Sequence, residues 1–182
     1  MTFEKTVTLK DGRNCLLRNG VTSDGKAVLD VFNRTHEETD YLLTYSDENR
    51  FTASQEADFL QRKTDSANNV EIIAVVDDVV AGTAGIDALG MRDKIKHRAV
   101  FGIAITKEFW GLGIGKYLME ACIECAREAG YLQLELEVVA ENERAVEMYR
   151  RAGFIEYGRN PKAFRLRTGK YQELIDMRLE LK

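Results

Sequence analysis

The chain has 182 residues, 45% hydrophobic and 31% charged, with a formal net charge of −4. That is enough for one domain with its own core, and the interspersed charges lack the basic face of a dedicated nucleic-acid binder. The opening MTFEKTVTLK has no apolar run behind its charges, and the runs IIAVV and AVFGIAI are far shorter than the ~20 residues a bilayer requires, so a cytoplasmic protein with neither nucleic-acid nor membrane partners is expected.

No internal repeat, low-complexity tract or long linker divides the sequence, which predicts one domain over residues 1–182. KTVTLKDGRNCLLR reads as a hairpin turning at Asp11-Gly12. Thr22 or Ser23 is placed to cap a helix carrying Val28, Leu29, Val31 and Phe32. TASQ, from Thr52 to Gln55, is a capping box that opens a second helix. VEIIAVV and VVAGTAGIDAL flank Asp77-Asp78 as a second hairpin. HRAVFGIAIT, from His97 to Thr106, is so apolar that a central strand covered on both faces is expected.

A helix with Leu118, Cys122, Cys125 and Ala129 on one face follows, closed by Gly130. Cys122 and Cys125 form a C-x-x-C, but they lie deep within the helix rather than at its N-terminus, where a thiolate would be stabilised. Core packing is the expected role, and three cysteines in total fit a reducing compartment. LQLELEVV alternates, with Leu132, Leu134, Leu136 and Val138 on one face. A helix from about Asn142 presents Ala145, Met148, Tyr149 and Ala152, and Gly153 ends it. Two strands, around Ala163–Arg167 and Tyr171–Leu179, flank the turn RTGKY. A β-loop-helix-β segment inside this order implies one parallel pair within an otherwise antiparallel sheet.

The stretch KEFWGLGIGKYLMEACIECAREAG places Gly111, Gly113 and Gly115 at the junction of strand and helix. The spacing is G-x-G-x-G, not the G-x-G-x-x-G of dinucleotide sites, and Tyr117 after Gly115-Lys116 breaks the P-loop pattern. Glycines still let several N–H groups approach one ligand, and the helix N-terminus behind them favours an anion. A second unit follows in LEVVAENERAVEMYRRAGF. There Asn142 sits at a strand-helix junction, Tyr149 lies two turns down the helix, and Glu137 faces away from Leu136 and Val138, with Glu135 as its competitor.

Together these segments, from about His97 to Phe154, resemble the GNAT (Gcn5-related) N-acetyltransferase family, and most closely its bacterial ribosomal-protein and amino-acid N-acetyltransferase members. The resemblance implies an α+β (mixed α/β) fold, a mostly antiparallel central sheet with one parallel pair and helices on both faces. It implies acetyl-CoA as cosubstrate, no metal, and an amine-bearing acceptor. Trp110, Gly111, Leu112, Gly113, Ile114, Gly115 and Lys116 would form the pyrophosphate loop, Trp110 standing where the family usually has Arg or Gln. Ile103, Ala104 and Ile105 would pair with the pantetheine arm, and Asn142 would touch it. Gly102 would mark a bulge or close approach near the thioester. Tyr149 would be the general acid for the departing thiolate. Glu137, in Leu136-Glu137-Val138, would be the base, directly or through water. Direct acetyl transfer to a primary amine is the function implied: a protein N-terminus, an amino acid, a polyamine or similar. The alternatives are a non-catalytic CoA-binding module with the same fold, or an interaction protein without CoA. A homodimer stays open. The link RTHEETDYLLTYSDENR, with Glu37, Glu38, Asp40, Asp47 and Glu48, suggests an acidic rim that would favour a cationic amine.

Overall fold

The computed structural model describes residues 1–181. Its elements run β1 (Glu4–Thr8), β2 (Asn14–Asn19), α1 (Gly25–Glu38), α2 (Ala53–Asp65), β3 (Val70–Val76), β4 (Val79–Ala88), β5 (Arg98–Ile105), α3 (Ile114–Glu128), β6 (Gln133–Val139), α4 (Glu143–Arg151), β7 (Ile155–Arg165) and β8 (Tyr171–Glu180). The strands form one 8-stranded sheet in the order β1-β2-β3-β4-β5-β6-β8-β7. All neighbours are antiparallel except β5 and β6. Among the described residues no helix is long and apolar enough to cross a membrane.

Alternation along β3 shows how the sheet is covered. Ile72 and Ala74 join the large core with Leu118 and Cys122 of α3. Ile73 points the other way, into a smaller core with Val28 of α1 and Leu60 of α2. Helices α3 and α4 therefore pack on one face and α1 and α2 on the other. Each fully buried Leu or Ile contributes about 1.5–3 kcal/mol against exposure. Cys122 and Cys125 are buried in the large core, where desolvation raises both thiols, Cys125 to about 12. They are packing residues.

Local chemistry sets most of the boundaries. Asp77 and Asp78 both take positive φ, 49° and 63°, as a two-residue hairpin turn between right-twisted strands demands. Thr52 and Gln55 make the reciprocal bonds of the capping box on α2. Gly130 and Gly153, at φ +80° and +97°, end α3 and α4. Where the structure departs from expectation, a nearby partner explains it. Thr22 and Ser23 do not cap α1: Thr22–Asp24 form a 3₁₀ turn, and Asp24 instead accepts the Val21 N–H and binds Arg18. Leu132 is exposed, just ahead of β6. β7 starts much earlier than Ala163, because bulges between Glu156 and Gly158 and between Asn160 and Phe164 let an edge strand pass Pro161.

β5 is central in the order, but its second face is covered only in part, by α1. Ala99 and Phe101 point into the large core, whereas Val100 is 40% exposed and Gly102 is open. Its unbroken apolar run reflects an open cleft in place of a full second covering layer. Gly102 is also no bulge: the β4–β5 register runs unbroken past Gly85↔Gly102, and a Cβ there would meet only open space.

Candidate active site

The cleft exists because two parallel strands part. β5 and β6 pair only from Arg98–Val100 to Gln133–Glu135. β5 then keeps to β4 as far as Gly82↔Ile105, while β6 keeps to β8 as far as Val139↔Leu174. The β6-facing edge of β5 from Phe101 to Ile105 is left unpaired, and a cleft of about 1260 Å³ opens beside it. Ile103, Ala104 and Ile105 line it. At the closed end Arg98 grips Glu135 with two hydrogen bonds, the longer at 2.7 Å. This pairing gives the buried Glu135 a partner. Glu135 is occupied; Glu137 is exposed at the cleft, opposite Asp176 on β8.

The glycine loop sits at the open end. Gly111 and Gly113 have φ of +87° and +97°, which L side chains rarely adopt, and Gly113 is the N-cap of α3. Gly115 does a different job. It is helical, and a Cβ there would lie 3.2 Å from Met148 Sδ and 3.3 Å from Ile105 Cδ1, so its smallness brings α3 against α4 and β5. No acceptor among the described residues takes the backbone N–H of Gly111, Leu112, Gly113, Ile114, Gly115 or Lys116. The loop is held from outside, where Lys10 N–H donates to Leu112 O (3.2 Å) and Tyr117 Oη to Thr8 O (3.2 Å). Trp110 has spent its indole N–H on Ile105 O (2.7 Å), tying the loop to the end of β5. Its ring carries the Arg144 guanidinium at 5.5 Å and the Lys107 ammonium at 5.8 Å. The loop thus gathers positive charge around residue 110 although residue 110 is itself uncharged.

On the α4 side, Asn142 caps the helix by accepting the Ala145 N–H (3.4 Å) and also lines the cleft. The Tyr149 ring is buried, edge-on to Phe101 (6.1 Å between centroids) and tilted on Phe154 (5.8 Å). Its hydroxyl has no hydrogen-bond partner among the described residues, and the residue lines the cleft. Desolvation pushes the phenol well above its usual range, which keeps it protonated at neutral pH. Tyr149 belongs to the α3/α4 face and Glu137 to the α1/α2 face, so they border the cleft from opposite sides of the sheet.

The α1/α2 side of the cleft departs from expectation. None of Glu37, Glu38, Asp40, Asp47 and Glu48 lines it. Several of these acids are engaged in holding the loop. Glu38 accepts Lys107 N–H (2.6 Å) and binds Arg34, Glu48 accepts Tyr45 N–H (2.7 Å), and Asp47 pairs with Arg167 (2.7 Å), which also lies 4.1 Å over the Tyr45 ring. The wall is made by Tyr41, Leu42 and Leu43, with Leu89, Val100 and Phe164. The signal was the apolar Tyr41-Leu42-Leu43 within an acidic stretch.

A model of the acetyltransferase (GNAT) family matches residues 30–154, well over half the chain. The chain belongs to that family. It is 30% identical to the L-amino acid N-acetyltransferase AaaT of Escherichia coli over 118 residues, 64% of this chain and 72% of that protein. The match to some longer relatives is partial, covering 18% of a mycothiol acetyltransferase of Propionibacterium freudenreichii. A GNAT-family acetyltransferase of Streptococcus pneumoniae superposes with a TM-score of 0.87 at 28% identity, covering 91% of this chain and 99% of that one. The protein yncA of Salmonella typhimurium, solved with its cofactor acetyl-CoA, superposes at 0.82 with 16% identity, covering 93% of this chain and 95% of that one. That neighbour holds acetyl-CoA on this fold, and in this chain the glycine loop and the splayed strands offer free backbone donors at the cleft.

Proposed function

We propose that the protein transfers the acetyl group of acetyl-CoA directly to a primary amine. The observation that carries this reading is the run of unsatisfied amides from Gly111 to Lys116, at the mouth of a cleft bordered by Glu137 on one side and Tyr149 on the other. The amides and the start of α3 suit a pyrophosphate, with Arg144 and Lys107 on Trp110 replacing the usual cationic side chain. The unpaired edge of β5 along Ile103, Ala104 and Ile105, where the Ile103 backbone faces outward and Ile105 O is held by Trp110, suits the amide-bearing pantetheine arm as an added strand, with Asn142 beside it.

Acetyl-CoA supplies a thioester, whose carbonyl carbon gains a bond to the amine nitrogen and loses its bond to sulfur. Glu137 takes the proton the ammonium must lose before attack, directly or through one water. A backbone N–H on the free edge of β5 is suited to meet the carbonyl oxygen as charge develops. Tyr149 donates its hydroxyl hydrogen bond to the departing sulfur. Burial makes this phenol a weaker acid than a thiol near 8.5, so it relays rather than loses a proton: sulfur leaves with the Tyr149 proton, and the surplus proton of the acylated nitrogen restores the phenol. The test is free-CoA release by the purified protein with acetyl-CoA and a panel of amines, beside a thermal shift with acetyl-CoA alone. Release with one amine class is expected. A shift without release from any amine would leave a CoA-binding module, and no shift would remove the loop assignment.

A further inference from the structure

The cleft's lining cations are confined to one face of the sheet, where Lys116 and Arg151 are paired with Glu120 and Glu147. The lysines and arginines that line it are Lys10, Lys116, Arg144 and Arg151, all at the glycine loop or on α3 and α4. On the α1/α2 side, among the described residues, no lysine, arginine or histidine lines it. That side offers mainly apolar surface, from Tyr41, Leu42, Leu43, Leu89, Val100 and Phe164, with the hydroxyls of Thr39 and Tyr157 beside it. Leu43 is 80% exposed and Leu89 39%, so this apolar wall faces open solvent with nothing of the chain's own upon it. The charged residues that line it there are Glu135 and Glu137; Arg98 and Arg178 share that face of the sheet, but Arg98 is bound to Glu135, and Arg178 pairs with Glu180 and lies over the Tyr157 ring. Glu137, directly across from Asp176, has no ion-pair partner among the described residues, and neither has Asp176.

These observations restrict the acceptor. A free amino acid presents a carboxylate one carbon from its amine. With the amine at Glu137, that carboxylate would lose water against a mainly apolar wall and gain no cation that is not already paired. It would also meet the field of Glu137 and Asp176. An amine whose neighbouring carbon carries a neutral group escapes both costs, and an apolar substituent gains the wall.

We propose that the acceptor is a primary amine with an apolar substituent and no free carboxylate beside the nitrogen, in a small molecule or at a polypeptide N-terminus. This rests on the transferase reading above. The test compares kcat/KM for CoA release with L-leucine, L-leucinamide, 3-methylbutylamine, ethylamine, spermidine and a leucyl tripeptide amide. 3-Methylbutylamine is leucine without its carboxylate, and a smaller share of it is free base at neutral pH, so a preference for it cannot come from ionisation of the amine. It should exceed leucine by about tenfold or more, and exceed ethylamine by a similar factor. A further gain for the tripeptide assigns a polypeptide source, and no gain assigns a small one. Leucine equal to or better than 3-methylbutylamine would overturn the proposal, and so would spermidine or ethylamine as the best acceptor. Leu43→Arg, at an exposed site, should lower the ratio of 3-methylbutylamine to leucine by about threefold or more; an unchanged ratio would remove the wall from the acceptor's path. Release that favours a carboxylate-bearing amine sinks this proposal alone, whereas no release from any amine sinks the transferase reading with it.

Discussion

On the α3/α4 side the cleft offers free backbone amides with cationic side chains around them, and on the α1/α2 side mainly apolar side chains. The first side displays the amides of Gly111 to Lys116 and the unpaired edge of β5, all within one strand-loop-helix segment. The second is assembled from the loop after α1, the end of β4, β5 and the β7–β8 hairpin, drawn together partly by Arg167 on Tyr45 and Asp47. A backbone site needs particular φ angles and tolerates little substitution. A side-chain wall can change its chemistry without disturbing the fold. The comparison suggests that one half fixes the acetyl donor and the other is free to vary with the acceptor.

The sharpest way to break this comparison is at Gly113. At φ +97° an L residue costs about 1–2 kcal/mol, yet a Cβ would meet nothing nearer than Tyr117 Cε2 at 3.8 Å. Gly113→Asp should therefore fold, with a modestly lower Tm, while its carboxylate faces the place where the amides converge. Acetyl-CoA affinity should fall by about 100-fold or more, since like charge and lost approach act together. Calorimetric titration reads this directly, and normal affinity would move the phosphate site elsewhere.

That half was legible in sequence for the same reason. Gly111 and Gly113 are where positive φ is needed, Asn142 is where a helix needs a cap, and such demands leave marks at fixed spacing. The order of strands and helices was legible too, from alternation around Asp77-Asp78 and helical spacing around Cys122. The apolar wall was legible only in Tyr41-Leu42-Leu43; Leu89, Val100 and Phe164 come from distant segments, and Glu38, Glu48 and Asp47 of the α1–α2 link bind Lys107, Tyr45 and Arg167 instead of facing the cleft. Nor could sequence say that the apolar run of β5 borders open space, because a strand covered by a second layer reads the same. The pairing of Glu135 likewise depended on Arg98, thirty-seven residues away from it.

A second test separates chemistry from binding at the seam between the halves. The Tyr149 hydroxyl makes no hydrogen bond among the described residues, so Tyr149→Phe should leave Tm nearly unchanged and keep the contacts with Phe101 and Phe154. If the hydroxyl serves the leaving sulfur, kcat should fall by about 100-fold while the Kd for acetyl-CoA stays within about twofold. An unchanged kcat would take that role from Tyr149.

The smallest expected effect tests whether the three glycines act alike. Gly115 differs from Gly111 and Gly113 in being helical and close-packed. In Gly115→Ala the new methyl would press on Met148 Sδ at 3.2 Å and Ile105 Cδ1 at 3.3 Å, both flexible ends that can give by a few tenths of an ångström. Against that crowding, Ala gains about 0.5–1 kcal/mol of helix propensity over Gly. The two nearly cancel, so Tm should move by less than about 3 °C and acetyl-CoA affinity by less than about threefold, because every backbone N–H stays where it was. A loss as large as that of Gly113→Asp would mean that ligand atoms, not Met148 and Ile105, fill the space beside residue 115, and that packing and binding are not separable in this loop.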